Sequence, residues 1–297
     1  MGEPKADVIG AAAPGQHTMD DSPIEEHFGP HQALLVKQTM RGCLQECLGC
    51  EAKSEFKVAP FDVSQLDDYK VSEAAMSTPD SMYAIEESSF LCRCCWRDGR
   101  PFDMRVSSGG EPGGAPIVNF KKPCGMPLWF SIPTGKDGTV DCPCVCFLPK
   151  VDMTTPKGEP LGAESKYICD INLFVPKLQY SEADKPVYIM KPETCLGGCC
   201  IACNPCSGKG LLYVPFYFHD AQSMEVINDN RDNSGYNDQA PQIRKLWAGL
   251  KRECCTTADT FMVKFPSGID AKRKAALLGM TFLIDFTVFE RQQDTAS

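Results

Sequence analysis

Histidine is scarce in this chain, with four in 297 residues, and His17 and His27 fall in an acidic stretch at the start. Only His31 and His219 remain for a Ser-His or Cys-His pair. No Gly-x-Ser-x-Gly elbow, His-Glu-x-x-His or dinucleotide fingerprint occurs. Ser207-Gly208-Lys209-Gly210 lacks both the Ser/Thr and the upstream glycine spacing of a phosphate-binding loop. Asp67-Asp68 and Glu86-Glu87 read as surface charge. Chemical catalysis is therefore not expected. Also missing are an internal repeat, an apolar run of 18 residues, any Asn-x-Ser/Thr site, and an apolar h-region in the opening Met1-Gly2-Glu3-Pro4-Lys5-Ala6. Ala6 also stands where a myristoylation motif wants Ser or Thr. A reducing compartment is the expectation. The net charge of -9, from 30 bases and 39 acids, argues against general attraction to nucleic acid, so none is predicted as a partner.

What is abundant is cysteine, 18 in all. The thiols cluster in adjacent or near-adjacent positions, unlike a spaced disulfide framework. Lipid attachment, metal binding and plain packing as small hydrophobes all remain open. Cys47-x-x-Cys50 and Cys200-x-x-Cys203 are half-sites for tetrahedral zinc, which needs four ligands, but neither has a matching second half.

Residues 1–30 hold six acids against one base and read as a disordered acidic tail. From His31 onward, strand-length apolar or alternating runs recur: Ala33–Lys37, Phe56–Val58, Tyr83–Ile85, Ile117–Phe120, Leu128–Ile132, Ile171–Val175, Val187–Met190, Leu211–Phe218 and Phe261–Phe265. Turn-rich pieces separate them, and the polar stretch Asn228–Gln242 reads as one no core could absorb. The pattern predicts a mainly β body from His31 onward, with one large domain or two small ones both open.

The end of the chain changes character. Asp270–Glu290 contains no proline, and helix formers fill its first half. Its apolar part, Ala275–Phe289, would measure about 22 Å as a helix against about 30 Å of bilayer hydrocarbon, and it carries Asp285. Such a helix is satisfied inside protein, with Leu277, Leu278, Phe282, Leu283, Ile284, Phe286 and Phe289 predicted to be buried; a membrane-spanning helix is the other reading.

The residues around that helix resemble the phospholipid scramblase family: Lys245-Leu246-Trp247-Ala248-Gly249-Leu250-Lys251-Arg252-Glu253, Ala258-Asp259-Thr260-Phe261, Phe265-Pro266, and Phe282-Leu283-Ile284-Asp285-Phe286 through Phe289-Glu290. Cys94-Cys95 and Arg100-Pro101-Phe102-Asp103-Met104-Arg105 add an upstream echo. The resemblance implies one domain over 31–291 with a tubby-like fold, a closed antiparallel β-barrel of about twelve strands enclosing the C-terminal α-helix, followed by a short tail, 292–297. It also implies ATP-independent, calcium-promoted, bidirectional movement of phospholipids between leaflets, at the cytoplasmic face of the plasma membrane or an internal membrane. The alternative is a lipid-tethered adaptor that binds phosphoinositides or protein partners without moving lipid.

Site expectations follow from the same resemblance. Cys142, Cys144 and Cys146 look like the family's palmitoylated Cys-Pro-Cys run, and Cys199 and Cys200 form a second candidate; two acyl chains would make attachment stable. The family's calcium loop falls on the segment that offers Asp259, Thr260, Ser267 and Asp270, a poor oxygen set with Lys264 beside it; the other reading gives Asp270 to the helix as its cap. Between Pro241 and Ala275 eight bases stand against three acids. Arg244, Lys245, Lys251, Arg252, Lys272, Arg273 and Lys274, with Trp247, make a candidate patch for anionic headgroups; a solvated face is the other reading.

Overall fold

The computed structural model describes residues 22–39, 53–62, 76, 78–89, 101–124, 128–135, 138–144, 148–168, 175–195, 200–201, 215–228, 240–246 and 259–289. Sixteen strands fall within them. They are β1 (Ala33–Gln38), β2 (Glu55–Pro60), β3 (Met82–Glu87), β4 (Phe102–Ser108), β5 (Pro116–Lys122), β6 (Leu128–Gly135), β7 (Gly138–Cys144) and β8 (Lys150–Thr154). There follow β9 (Pro160–Ile168), β10 (Lys177–Glu182), β11 (Lys185–Pro192), β12 (Thr194–Cys195), β13 (Cys200–Ile201), β14 (Pro215–Asp220), β15 (Gln242–Lys245) and β16 (Thr260–Lys264). Twelve of these close an antiparallel barrel in the order β1-β16-β15-β14-β11-β10-β9-β8-β5-β4-β3-β2, and β2 pairs back to β1. β6–β7 and β12–β13 are separate two-stranded sheets.

Alternation explains the strands that the barrel wall uses. In β4, Phe102, Met104 and Val106 are buried while Asp103 and Arg105 are exposed; in β9, Ala163, Ser165 and Tyr167 are buried and Glu164 and Lys166 are not. Period-2 patterning of this kind puts apolar groups in the lumen and charge on the wall. A barrel that crosses lipid has the opposite polarity. β1 departs from alternation because both its faces are covered: Leu34 and Val36 join the lumen core, and Leu35 joins a second cluster with Ala59, Met76, Leu246 and Met262.

The lumen is filled by α2 (Ala271–Ile284), which continues as a π-helical turn, Asp285–Phe289. Leu277, Leu278, Met280, Phe282, Leu283, Ile284 and Phe286 are 0% exposed. Phe282 is held between rings, 5.0 Å from Phe56 and 5.8 Å from Phe120, and Phe286 lies 4.5 Å from Phe102. Gly279 is dictated by this fit, since a Cβ there would come within 2.6 Å of the Phe120 ring. Thr281 and Thr287 satisfy their hydroxyls by donating to the carbonyls of Leu277 and Leu283. Among the described residues no helix is long and apolar enough to cross a membrane.

The N-terminal boundary differs from the sequence expectation. Residues Ser22–Phe28 form a helix, α1, whose Ile24 and Phe28 are buried in the lumen core. Gly29 ends it where a Cβ would sit 2.5 Å from the Glu25 carbonyl. The acidic segment therefore contributes its last turns to the domain, and the expected limit at residue 30 falls too late. Asn228–Gln242 also needs correcting at its end: Ala240 and Gln242 are buried and β15 starts there. β4, β7 to β10, β12 and β13 coincide with none of the apolar runs; β8 to β10 mix Lys, Glu, Ser and Tyr into alternation that such runs do not reveal.

Candidate functional site

The sequence-predicted residues converge most closely where α2 starts. Asp270 has extended backbone and its carboxylate accepts from the Arg273 amide at 2.8 Å, a helix N-cap that satisfies an otherwise orphaned donor. One turn on, Arg273 forms a two-pronged pair with Glu182 at the end of β10, through Nε at 2.6 Å and a terminal nitrogen at 2.9 Å. The Tyr180 hydroxyl donates to the same carboxylate at 2.7 Å. Burial would raise the Glu182 carboxyl, but the hydrogen bonds from Arg273 and Tyr180 outweigh it and hold it below the usual range. Burial in turn raises the Tyr180 phenol, with Glu182 adding to the effect, so it stays a donor at all physiological pH. Lys274 is buried and donates to the Gly29 carbonyl at 2.7 Å, tying α2 to the end of α1; its ammonium is shifted downward by burial, partly offset by Glu25 and Asp270. The cluster locks the helix at the barrel mouth. It holds no paired nucleophile and base, and its chemistry is anchorage.

This placement withdraws most of the described members of the expected basic patch from the surface. Arg244, Lys245 and Lys274 are buried, Arg273 is half-buried and paired, and Lys272 alone of the described members is exposed. Lys245 makes a 2.6 Å ion pair with Asp259 with both groups largely shielded from water. Trp247, Lys251 and Arg252 lie outside the described residues. Charge density in a sequence does not say which side of a strand a charge occupies, and β15 buries every residue of its length.

The calcium candidates also fail to meet. Asp259 and Thr260 are buried at the start of β16, whereas Ser267 and Asp270 are exposed beyond its other end. A strand advances about 3.3 Å per residue, so the two pairs stand more than about 13 Å apart, too far to share an ion whose oxygens sit at about 2.4 Å. Asp259 is engaged by Lys245 and Asp270 by the helix amide. Among the described residues no three acidic, histidine or cysteine groups cluster for a metal. The residues present do not fit the calcium site implied by resemblance.

Of the cysteine candidates, Cys142 and Cys144 lie on β7, opposite Phe130 and Leu128 of β6 in a hairpin that is not part of the barrel ladder. Cys200 lies on β13 opposite Cys195. Cys146, Cys199, Cys203, Cys47, Cys50 and the Cys94-Cys95 pair fall outside the described residues. Sequence reasoning passed over Glu182, Tyr180 and α1; an Ile24-Phe28 spacing of i, i+4 followed by Gly29 was the signal for the last.

Comparison with known proteins finds a partial family match and distant relatives. Residues 231–291 match the family model described as Scramblase, a stretch that includes β15, β16, α2 and the π-turn. The chain is 27% identical over 211 residues to phospholipid scramblase 2 of Homo sapiens, covering 70% of this chain and 56% of that protein. It is 27% identical over 210 residues to human phospholipid scramblase 1, with 70% and 52% covered. It is 29% identical over 210 residues to human phospholipid scramblase family member 5, with 70% and 61% covered. The chain thus matches little more than half the length of the curated relatives scramblase 1 and 2. No solved structure matches. These similarities, the family-model match running through the barrel-filling helix itself, are to proteins of the scramblase family.

Proposed function

We propose that this chain is a membrane-associated phospholipid scramblase, moving phospholipids in both directions between leaflets without ATP and without chemical catalysis. The observation that carries the proposal is the similarity over 70% of the chain to proteins named phospholipid scramblases. Phospholipid is the substrate in this reading, and the bilayer surface is the partner. Tethering by palmitate on Cys142, Cys144 and Cys146, with Cys199 and Cys200 as further acceptors, would hold the protein at the cytoplasmic face, since two chains make attachment stable. Zinc at the cysteine clusters is the competing use of the same thiols. Lipid does not pass through the lumen while α2 fills it, because a headgroup needs a polar path across about 30 Å of hydrocarbon. Exchange then has to occur at the protein–bilayer boundary.

That filled lumen also favours a second reading, an acylated barrel that docks on phosphoinositide headgroups or protein partners and leaves lipid where it is. Vesicles that carry a labelled phospholipid in both leaflets separate the two. The proposal predicts that added protein exposes inner-leaflet label to an external quencher, without nucleotide; an adaptor leaves the protected fraction at half. The assay run with and without calcium tests the calcium dependence that resemblance implies. An all-Ser version of Cys142, Cys144 and Cys146 is expected to lose activity in proportion to membrane binding.

A further inference from the structure

We propose that Cys195 and Cys200 form a redox-active thiol pair on the β12–β13 hairpin. The register of that hairpin sets Thr194 against Ile201 and Cys195 directly against Cys200. Facing residues of an antiparallel pair have Cα atoms about 4.5–5.5 Å apart, inside the range of about 4.4–6.8 Å that a disulfide spans without moving the backbone. The four intervening residues, Leu196-Gly197-Gly198-Cys199, carry two glycines, the residue type that tight reversals draw on. Oxidation therefore closes a six-residue ring on a hairpin whose strands are already in register. The hairpin begins two positions after Pro192, the β11 residue that faces Phe216 on β14, so the bond would fix the connection between two adjacent barrel strands.

The oxidant is a small-molecule disulfide of the glutathione class. One cysteine thiolate attacks it, forming a mixed disulfide and releasing one small thiol. The facing cysteine then attacks the protein-bound sulfur, forming the Cys195–Cys200 bond and releasing the second small thiol. Two protein thiols are oxidised, one small disulfide is reduced, and the two thiol protons leave with the released thiols. The second step is intramolecular, so the pair is oxidised at a less oxidising poise than a solitary thiol. A sulfur in this bond cannot carry an acyl thioester, and Cys200 is withdrawn from lipid attachment in that state.

The test equilibrates the full chain, folded, in a series of reduced and oxidised glutathione mixtures, traps free thiols by alkylation, and maps bonds by peptide mass spectrometry. Cys124, an exposed free thiol, is the internal reference. The expected result is a Cys195–Cys200 cross-link, two hydrogens lighter, at mixtures that leave Cys124 unmodified. Cys195→Ser is expected to lose the cross-link and shift Cys200 modification to the poise of Cys124, as a glutathione adduct. The proposal is overturned if Cys195 and Cys200 in the unaltered chain follow Cys124 across the series, or if either bonds preferentially to another cysteine.

Discussion

A buried charge is tolerated only with its partner, and the Lys245–Asp259 pair puts this in measurable form. Replacing Lys245 with Met strands the Asp259 carboxylate in a shielded site and is expected to cost about 3–5 kcal/mol in urea unfolding. The double change Lys245→Met with Asp259→Leu is expected to recover most of that loss, which a surface pair would not show. Asp270 offers a contrast. As a helix cap it is replaceable by Asn with little change, while Asp270→Ala is expected to lower stability by about 1 kcal/mol in calcium-free buffer. A stability loss seen only in calcium would return Asp270 to metal binding. Gly279→Ala drives a methyl into the Phe120 ring and is expected to cost about 1–3 kcal/mol by overpacking.

Two elements decide whether the lumen stays closed. α2 supplies the core, and α1 covers it with Ile24 and Phe28 while Gly29 receives Lys274. Phe28→Ala is expected to destabilise by about 3–5 kcal/mol, comparable to a truncation within α2 itself; a loss under 1 kcal/mol in chemical denaturation would mean that α1 is not part of the folded domain. Element legibility in the sequence tracked side-chain chemistry. The Ala275–Phe289 run, apolar on nearly every side and short for lipid, favoured a buried helix over a membrane span. Ala33–Lys37 and Phe261–Phe265 announced themselves because both faces of β1 and most of β16 are buried. β8 and β9 hid behind their half-buried Lys, Asp and Glu. α1 hid because two apolar residues in an acidic stretch are a faint pattern. The site was less legible still: Asp270 showed its capping role, but the partners of Arg273 and Lys274, namely Glu182 and Gly29, lie 91 and 245 positions away, a separation that no local pattern encodes.

At the scale of the whole molecule, the barrel around a helix is a single cooperative core, and its pH response follows from buried ionisable groups. His219 is buried on β14, with its ring facing the Tyr217 carbonyl, and burial, with Lys191 nearby, pushes its pKa down to about 4. An unfolded chain binds that proton at about 6.5. Between those values the unfolded state holds more protons, so stability is full above about pH 6.5 and falls as pH drops toward 4, by up to about 3 kcal/mol. Glu182, held below the ordinary carboxylate range, adds a further loss at lower pH. His219→Phe is expected to flatten the decline between pH 6.5 and 4 in thermal melts; an unchanged decline would assign it to other groups.

The central claim is that the apolar C-terminal helix is the interior of a protein barrel, including when the protein sits on a membrane. A diazirine-bearing residue placed at position 282, photolysed in vesicle-bound protein, tests it most directly. The structure predicts adducts within the chain, on the peptides that hold Phe56 and Phe120. Adducts on phospholipid acyl chains would contradict it.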